Sequence, residues 1–567
     1  MLLRALYRTL ELYASGIVLL GAIKAVKLAC HRHRAALGPL DHASWAGFAL
    51  VLGGGLALAP SPAAVPIVLL GFFLFVGLWL DALLYRVFTI ELGPGGVGSI
   101  VVAVLYHELA ELDLARRFWR ENRVYTLLPL AALVALTRPL LTPGGAADLT
   151  SAVLLAMYLV LVMAVVRPVL WRRPGTSPHL RTFLWARALP LDAGFVPRRE
   201  HLHLVAPQAA EPPPSTRHGS LAGASVLLIT VESLSRRHAR LASLPTLTRL
   251  AAGAVSSARH FCISPTTNGA HFALHFGAYG DEGESAVARL ASEGLATVYV
   301  TPIHTSLYGL RRLLDRAGFA TVIDAEQLAP RAGHQTLDDW VLADQGVAAI
   351  AAAARGGRYF AHVHTSHTHV PYRVAEERFR RRTGEGDRGR FLDGLEEADA
   401  VVAALLAALE KRGLLDDTLV VVSGDHGQSF GEFGYWSHGS AITAEQVDVP
   451  LLLAHPRLAA FEVEASSHFD VLPTVCDLLG VPAPRGLGAS LFLNRPAELF
   501  LWAGQPSRGS TSCFGLVHER RKWLVDVVTQ RCLTMSWDDA QPVELQGEER
   551  RYWQALCSSA LLARGLK

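Results

Sequence analysis

Three separated stretches of this 567-residue chain carry side chains suited to a divalent metal ion. The first is Val420-Val-Val-Ser-Gly-Asp425-His426-Gly. An apolar run leads straight into a carboxylate and an imidazole, two groups that can ligate a cation from the end of a strand. The second is Ser225-Val-Leu-Leu-Ile-Thr-Val-Glu232, an apolar and partly β-branched run that reads as a buried parallel strand. Glu232 falls at its carboxyl end, where ligands gather in open α/β sheets. The ordinary alternative for Glu232 is a helix-capping role. The third is Ser264-Pro-Thr266-Thr267-Asn-Gly, which precedes a helix-compatible segment. A hydroxyl at a helix start can share the free N–H groups and the dipole with an anion, or it can simply be an N-cap.

Together Glu232, Thr267, Asp425 and His426 resemble the metal-and-nucleophile set of the alkaline phosphatase superfamily. More narrowly, they resemble sulfatase-like membrane transferases: the lipoteichoic acid synthases and the phosphoethanolamine transferases. The resemblance runs from about Ser225 to Pro484. It implies one divalent metal, Zn or Mn, bound by Glu232, Thr267, Asp425 and His426, with Thr267 as nucleophile. The spacing from Thr267 to Phe272 and Leu274 matches the synthase pattern, with Thr266 as the alternative. True sulfatases carry Cys/Ser-x-Pro-x-Arg at this point. Here Cys262-Ile-Ser-Pro has another spacing and no arginine, which argues against sulfate-ester hydrolysis by that route.

The same resemblance extends to further positions. His369, in His367-Thr-His-Val-Pro, matches a histidine placed on the substrate phosphate, and His438, in Trp436-Ser-His-Gly, matches another that lines the site. Both are expected to take part in catalysis. His304, following Thr301-Pro-Ile, resembles a head-group contact, and Tyr308 and Arg311 are expected to follow it into the substrate pocket. His362, His364 and His367 read instead as packing or supporting residues.

These residues need a scaffold. Apolar runs at Val226–Val231, Ala296–Val300, Tyr359–Val363, Leu419–Val422 and Pro450–Ala454 alternate with helical segments such as Asp399–Leu409. That alternation predicts a three-layer α/β sandwich, and the resemblance makes it an alkaline-phosphatase-like sulfatase fold. The stretch from Cys513 resembles the small C-terminal β subdomain of such folds. Glu376–Arg390, rich in arginine and glycine, reads as a solvated loop; its alternative is a lipid head-group clamp.

The first third of the chain has a different character. Ala43–Leu80 carries no charge and is broken only at Pro60-Ser-Pro62, so it reads as two membrane spans. Leu149–Val166 is uncharged over a length of about 27 Å as helix. Val124–Leu141 and Leu10–Cys30 complete a set of five expected spans. The expected division is residues 1–175 transmembrane domain, 176–221 linker, 222–495 catalytic domain and 496–567 β subdomain. Arginines after the first, third and fifth spans favour an inside catalytic domain by the positive-inside rule. The resemblance implies the opposite, a domain on the outer face of the cytoplasmic membrane, and that is the expectation adopted. Long domains cross largely regardless of charge.

A formal net charge of +3 gives no nucleic-acid signal. Six cysteines fix no disulfide pattern; Cys513 and Cys532 flank a hairpin-like stretch and are a candidate pair in an oxidising compartment. The function implied by the resemblance is transfer of a phospho-alcohol head group from a membrane lipid donor to an envelope glycan or lipid acceptor, through a phospho-threonine. Two other readings stay open: a sulfatase-like hydrolase that uses water, and a non-catalytic binder of an anionic envelope polymer.

Overall fold

A computed structural model describes His201 and residues 209–567, apart from 280–282, 306–309, 329–337, 370–371, 383, 494–498, 506–509, 527–530, 538–541 and 565–567. These residues all belong to one compact unit, Pro197–Lys567. The five expected membrane spans and Tyr308 lie outside the described residues. Among the described residues no helix is long and apolar enough to cross a membrane.

In chain order the strands of the main body are β1 (Ser225–Val231), β2 (Val255–Ser257), β3 (His260–Phe261), β4 (Ala296–Val300), β5 (Thr321–Ile323), β6 (Tyr359–His364), β7 (Thr418–Gly424), β8 (Ser429–Phe430), β9 (Trp436–Ser437), β10 (Asp448–Val449), β11 (Leu451–Ala454), β12 (Phe461–Val463) and β13 (Ser466–Ser467). Eight of them form one sheet in the order β12-β2-β11-β7-β1-β6-β4-β5. From β7 to β5 every pairing is parallel, while β11 runs antiparallel to both β7 and β2.

A parallel sheet has helices on both faces, so its central strands are apolar on both. β1 shows this directly, with every residue from Val226 to Val231 buried. Val226 and Leu228 pack on one side with residues of α1 (Thr267–Phe276) and α2 (His468–Leu479). Leu227, Ile229 and Val231 pack on the other with Phe391, Leu395, Val402 and Leu405 of α3 (Gly386–Glu410). Each such fully buried Leu or Ile contributes about 1.5–3 kcal/mol. The register places Val231 beside Gly424 of β7 and Thr230 beside His364 of β6. The residues that leave these three neighbouring strands therefore emerge at one sheet edge.

Two sequence expectations change here. The helix expected over Asp399–Leu409 begins at Gly386 and so takes in part of the arginine-rich segment. Arg382 pairs with Asp393 and Glu396 of that helix, at 2.7 Å in each case. Local composition hides this, because the carboxylates that order the segment lie a dozen residues further on. The linker's described part is also tied down: Ser215 N–H donates to Asp477 Oδ1 at 3.0 Å, and Gly219 and Leu221 N–H donate to the carbonyls of Asp477 and Leu478.

A second sheet closes the chain: β14 (Leu499–Gln505), β15 (Ser510–His518), β16 (Arg521–Asp526), β17 (Arg531–Ser536) and β18 (Val543–Glu544), antiparallel throughout and followed by α4 (Gly547–Ala563). Cys513 and Cys532 are free and buried. They stand on β15 and β17, with β16 between them, where Asp526 and Val525 are their respective partners. Two strand spacings amount to about 9.5 Å, beyond the about 7 Å that a disulfide spans between Cα atoms. The candidate pair is thus ruled out here: an intervening strand separates the two cysteines.

Candidate metal centre and nucleophile

Glu232 follows β1 and is fully buried. The chain turns at once, through Ser233 at φ 58°. That turn lets Ser233 N–H donate to Asp425 Oδ1 at 2.9 Å and Ser233 Oγ donate to Glu232 Oε1 at 2.7 Å. Thr368 Oγ1 donates to the Glu232 carbonyl. Ser233 and Thr368 therefore hold the strand end that the sequence reading identified only by its glutamate.

Asp425 and His426 follow β7 in a turn bounded by Gly424 and Gly427. A Cβ at Gly424 would collide with the Leu234 carbonyl, and one at Gly427 with the Glu445 carbonyl. His426 Nδ1 lies 3.0 Å from the Gly427 carbonyl. A carbonyl only accepts, so Nδ1 carries the hydrogen and Nε2 presents its lone pair. That lone pair faces oxygens: Asp425 Oδ2 at 3.3 Å, Glu232 Oε1 at 3.7 Å and Thr267 Oγ1 at 3.3 Å.

Thr267 is the first residue of α1, and Thr266 is its N-cap, accepting from Gly269 N–H at 3.3 Å. Capping thus falls to one threonine. The other turns its hydroxyl to the carboxylate, 3.4 Å from Glu232 Oε2. α1 ends at Gly277, left-handed at φ 57°.

The electrostatics suit a divalent cation. Burial alone would raise the Glu232 carboxyl, but the His426, His364 and His369 rings around it hold it well below the usual carboxylate range. Burial and the Glu232 charge push Asp425 up. Asp425 Oδ2, fully buried, has no hydrogen-bond partner. Two carboxylates and an imidazole lone pair pointing at one another, with a bare oxygen among them, are a donor set that fits a divalent ion. Glu232, Asp425, His426 and Thr267 are the residues that would hold it.

His438 stands beside this group. Its ring lies 4.5 Å from that of His426 and 5.9 Å from that of His369. Its Nδ1 meets Gln428 Oε1 at 2.9 Å, and Gln428 Nε2 in turn donates to Tyr372 at 2.8 Å. Desolvation and the neighbouring His426 push the His438 imidazole well below its usual range, which favours the neutral ring. Glu232, His426 and His438 offer ligand atoms within 4.8 Å of one another.

Of the remaining expected residues, His304 and Arg311 each face a carboxylate. His304 faces Glu326 at 3.9 Å. Arg311 lies on an exposed helix turn and pairs with Asp315 at 2.9 Å. His364, read as a packing or supporting residue, is fully buried with Nε2 3.3 Å from Glu232 Oε2. The available signal was His362-Val-His364, an alternation of polar rings in a strand that should be apolar on both faces.

Residues 224–481 match the sulfatase family. Over 136 residues the chain is 36% identical to human arylsulfatase A, an alignment covering 22% of this chain and 26% of that protein. Over 109 residues it is 33% identical to choline-sulfatase of Rhizobium meliloti (strain 1021), covering 19% and 20%. The chain spans about a quarter or less of the length of these curated relatives. In fold it is similar to a protein in the alkaline phosphatase superfamily from Vibrio parahaemolyticus, with a TM-score of 0.51 and 15% identity over 65% of this chain and 96% of that one. Residues 224–481 are thus similar to a sulfatase domain, and the fold is similar to that of the Vibrio protein. Within this sulfatase-like domain Cys262 is fully buried and donates to the Gln446 carbonyl at 3.4 Å. Burial pushes its thiol well above the ordinary range. Thr267, not Cys262, is the residue whose side-chain oxygen meets Glu232 and His426.

Proposed function

We propose that this protein is a membrane-anchored phosphotransferase that moves a phospho-alcohol head group from a lipid to an envelope glycan or lipid acceptor. The observation that carries this reading is the Thr267 hydroxyl, held at the start of α1 within 3.4 Å of Glu232 and 3.3 Å of His426. The apolar runs before residue 175 support the anchor. The outer face of the cytoplasmic membrane is the proposed location of the sulfatase-like domain.

A bound divalent ion supplies Lewis acidity, lowering the pKa of a coordinated hydroxyl and drawing charge from a phosphate oxygen. The chain's own residues do the rest. Thr267 Oγ attacks phosphorus, the bond to the leaving alcohol breaks, and the group becomes a phospho-threonine. The proton that Thr267 loses passes through His369 to the leaving alcohol, and the neutral His438 ring lines the phosphate site. The acceptor hydroxyl then attacks the same phosphorus, and the Thr267 oxygen leaves. The free N–H groups at the start of α1 lie where the phosphate oxygens gather charge.

A hydrolase is the second reading, favoured by the identity to arylsulfatase A and choline-sulfatase. There water would be the acceptor. Both readings are separated by intact-mass analysis of the full-length protein after incubation with envelope lipids. Transfer predicts an adduct on Thr267 that is lost in Thr267→Ala and passed on when a glycan or lipid acceptor is added. An adduct discharged only to water supports the hydrolase. No adduct on wild-type protein, with turnover intact, would sink the covalent route.

A further inference from the structure

Behind the metal group lies a run of buried imidazoles that the proposed chemistry does not use. His364 Nδ1 lies 2.9 Å from Thr230 Oγ1, and the same hydroxyl lies 2.9 Å from His362 Nε2. His362 Nδ1 reaches His275 Nε2 at 3.0 Å. His271, anchored at 2.9 Å to the Thr267 carbonyl, places its ring 4.8 Å from that of His364. The run ends at Glu232.

We propose that His364 is a ligand, through Nε2, of the divalent ion held by Glu232 and Asp425. This rests on the reading above that these two carboxylates bind a metal. Three observations carry it. Ligand atoms of Glu232, His364 and Asp425 all lie within 4.8 Å of one another, and all three residues are buried. Asp425 Oδ2 lacks a hydrogen-bond partner, and His364 Nε2, equally buried, has only the Glu232 carboxylate at 3.3 Å. The far ring nitrogen is held by Thr230, the arrangement by which an outer-shell partner fixes the tautomer of a metal-bound histidine.

The competing arrangement is an imidazolium at His364 that pairs with Glu232. It leaves Asp425 Oδ2 bare and leaves one net negative charge buried between two carboxylates and one cation. A dication among these ligand atoms balances both carboxylates and gives Asp425 Oδ2 a partner. The ligand set then contains imidazoles from β6 and from the turn after β7, together with two carboxylates. Imidazole-rich sets suit Zn²⁺, whereas oxygen-dominated sets suit Mn²⁺, Mg²⁺ and Ca²⁺. His364 therefore tilts the centre toward zinc.

The test uses the full-length protein loaded with Zn²⁺ alone and read by zinc X-ray absorption and by equilibrium metal titration. Wild type should show imidazole scattering from both His364 and His426. His364→Gln should lose one imidazole and weaken Zn²⁺ binding by more than the about 10–100-fold that an outer-shell loss costs. Thr230→Val should keep both imidazoles and stay within that about 10–100-fold range. This second variant and the wild-type spectrum keep the proposal testable even where His364→Gln folds poorly. A wild-type spectrum with one imidazole, or a His364→Gln spectrum identical to wild type, overturns it while leaving the metal-dependent reading intact. A wild-type protein that takes up no Zn²⁺ overturns both.

Discussion

His364 and His367 stand three residues apart at the end of one strand, yet they face opposite surroundings. His364 looks into the metal group and is backed by Thr230 and a file of neutral rings. His367 looks into carboxylates: Asp338 Oδ1 at 2.9 Å, Glu397 Oε2 at 3.5 Å and Asp339 Oδ2 at 3.8 Å. Burial opposes a charge on His367, but Asp339, Asp338 and Glu397 together push its imidazole up to about 9. Burial opposes a charge on His364 too, but Glu232, Asp425 and Asp339 push its imidazole up, while further back burial wins and His275 is pushed down to about 3. What decides is the number of acidic neighbours, not depth.

The largest effect expected from breaking this contrast is at the metal side. Asp425→Asn removes one of the two carboxylates and should lose most bound metal. Turnover should fall by at least about 10³-fold, the rate equivalent of about 4 kcal/mol. Metal analysis and a turnover assay on one preparation check it, and unchanged values in both would remove Asp425 from the centre.

Next in size is His367→Asn. It strips the cation from three buried or half-buried carboxylates, and breaking a buried pair costs about 3–5 kcal/mol. Denaturant unfolding should show that loss, while bound metal per folded molecule stays at the wild-type level. A variant as stable as wild type would show that the carboxylates do not need this cation.

A pH series sharpens the same contrast. His367 has a folded-state value of about 9 against a model-peptide value of 6.5. Its contribution to stability is thus complete below about pH 6.5 and fades as pH rises through about 9. His238, His275 and His468 are each pushed down to about 3, chiefly by burial. Between about pH 6.5 and 3 the unfolded chain binds protons at these sites that the folded chain refuses. Stability should therefore fall on acidification, by up to about 1.4 kcal/mol per pH unit for each fully unprotonated ring. His367→Asn should flatten the alkaline limb and leave the acid limb in place; loss of the acid limb instead would reverse the assignment.

The smallest effect is at Arg311, whose ion pair with Asp315 is exposed on both sides. Arg311→Ala should change stability by less than about 0.5 kcal/mol. A large rise in KM in that variant would restore it to the substrate pocket.

Much of the scaffold was legible because parallel strands buried on both faces announce themselves as apolar runs. β1, β4 and β7 are of that kind, and the residues leaving β1 and β7 are the metal-binding candidates. The start of α3 was not legible, since Arg382 is ordered by Asp393 and Glu396 and not by its own neighbours. The separation of Cys513 from Cys532 was hidden for a related reason: strand order, not sequence distance, puts β16 between them. His364 was read only as a packing or supporting residue, because periodicity marks a buried polar residue as an anomaly without naming its partner. That partner, Glu232, sits 132 positions earlier in the chain and becomes a neighbour only through the β1–β6 register.

The two glycines that bracket Asp425 and His426 bear on how this domain would age in a lineage that no longer needed it. Leu234 and Glu445 press their carbonyls where a Cβ would stand, so Gly424 and Gly427 answer to folding alone. Relaxed selection on catalysis would let Asp425 and His426 drift while both glycines stayed. In a family of diverged copies, the glycines would thus mark who still folds, and the acid and imidazole between them would mark who still works.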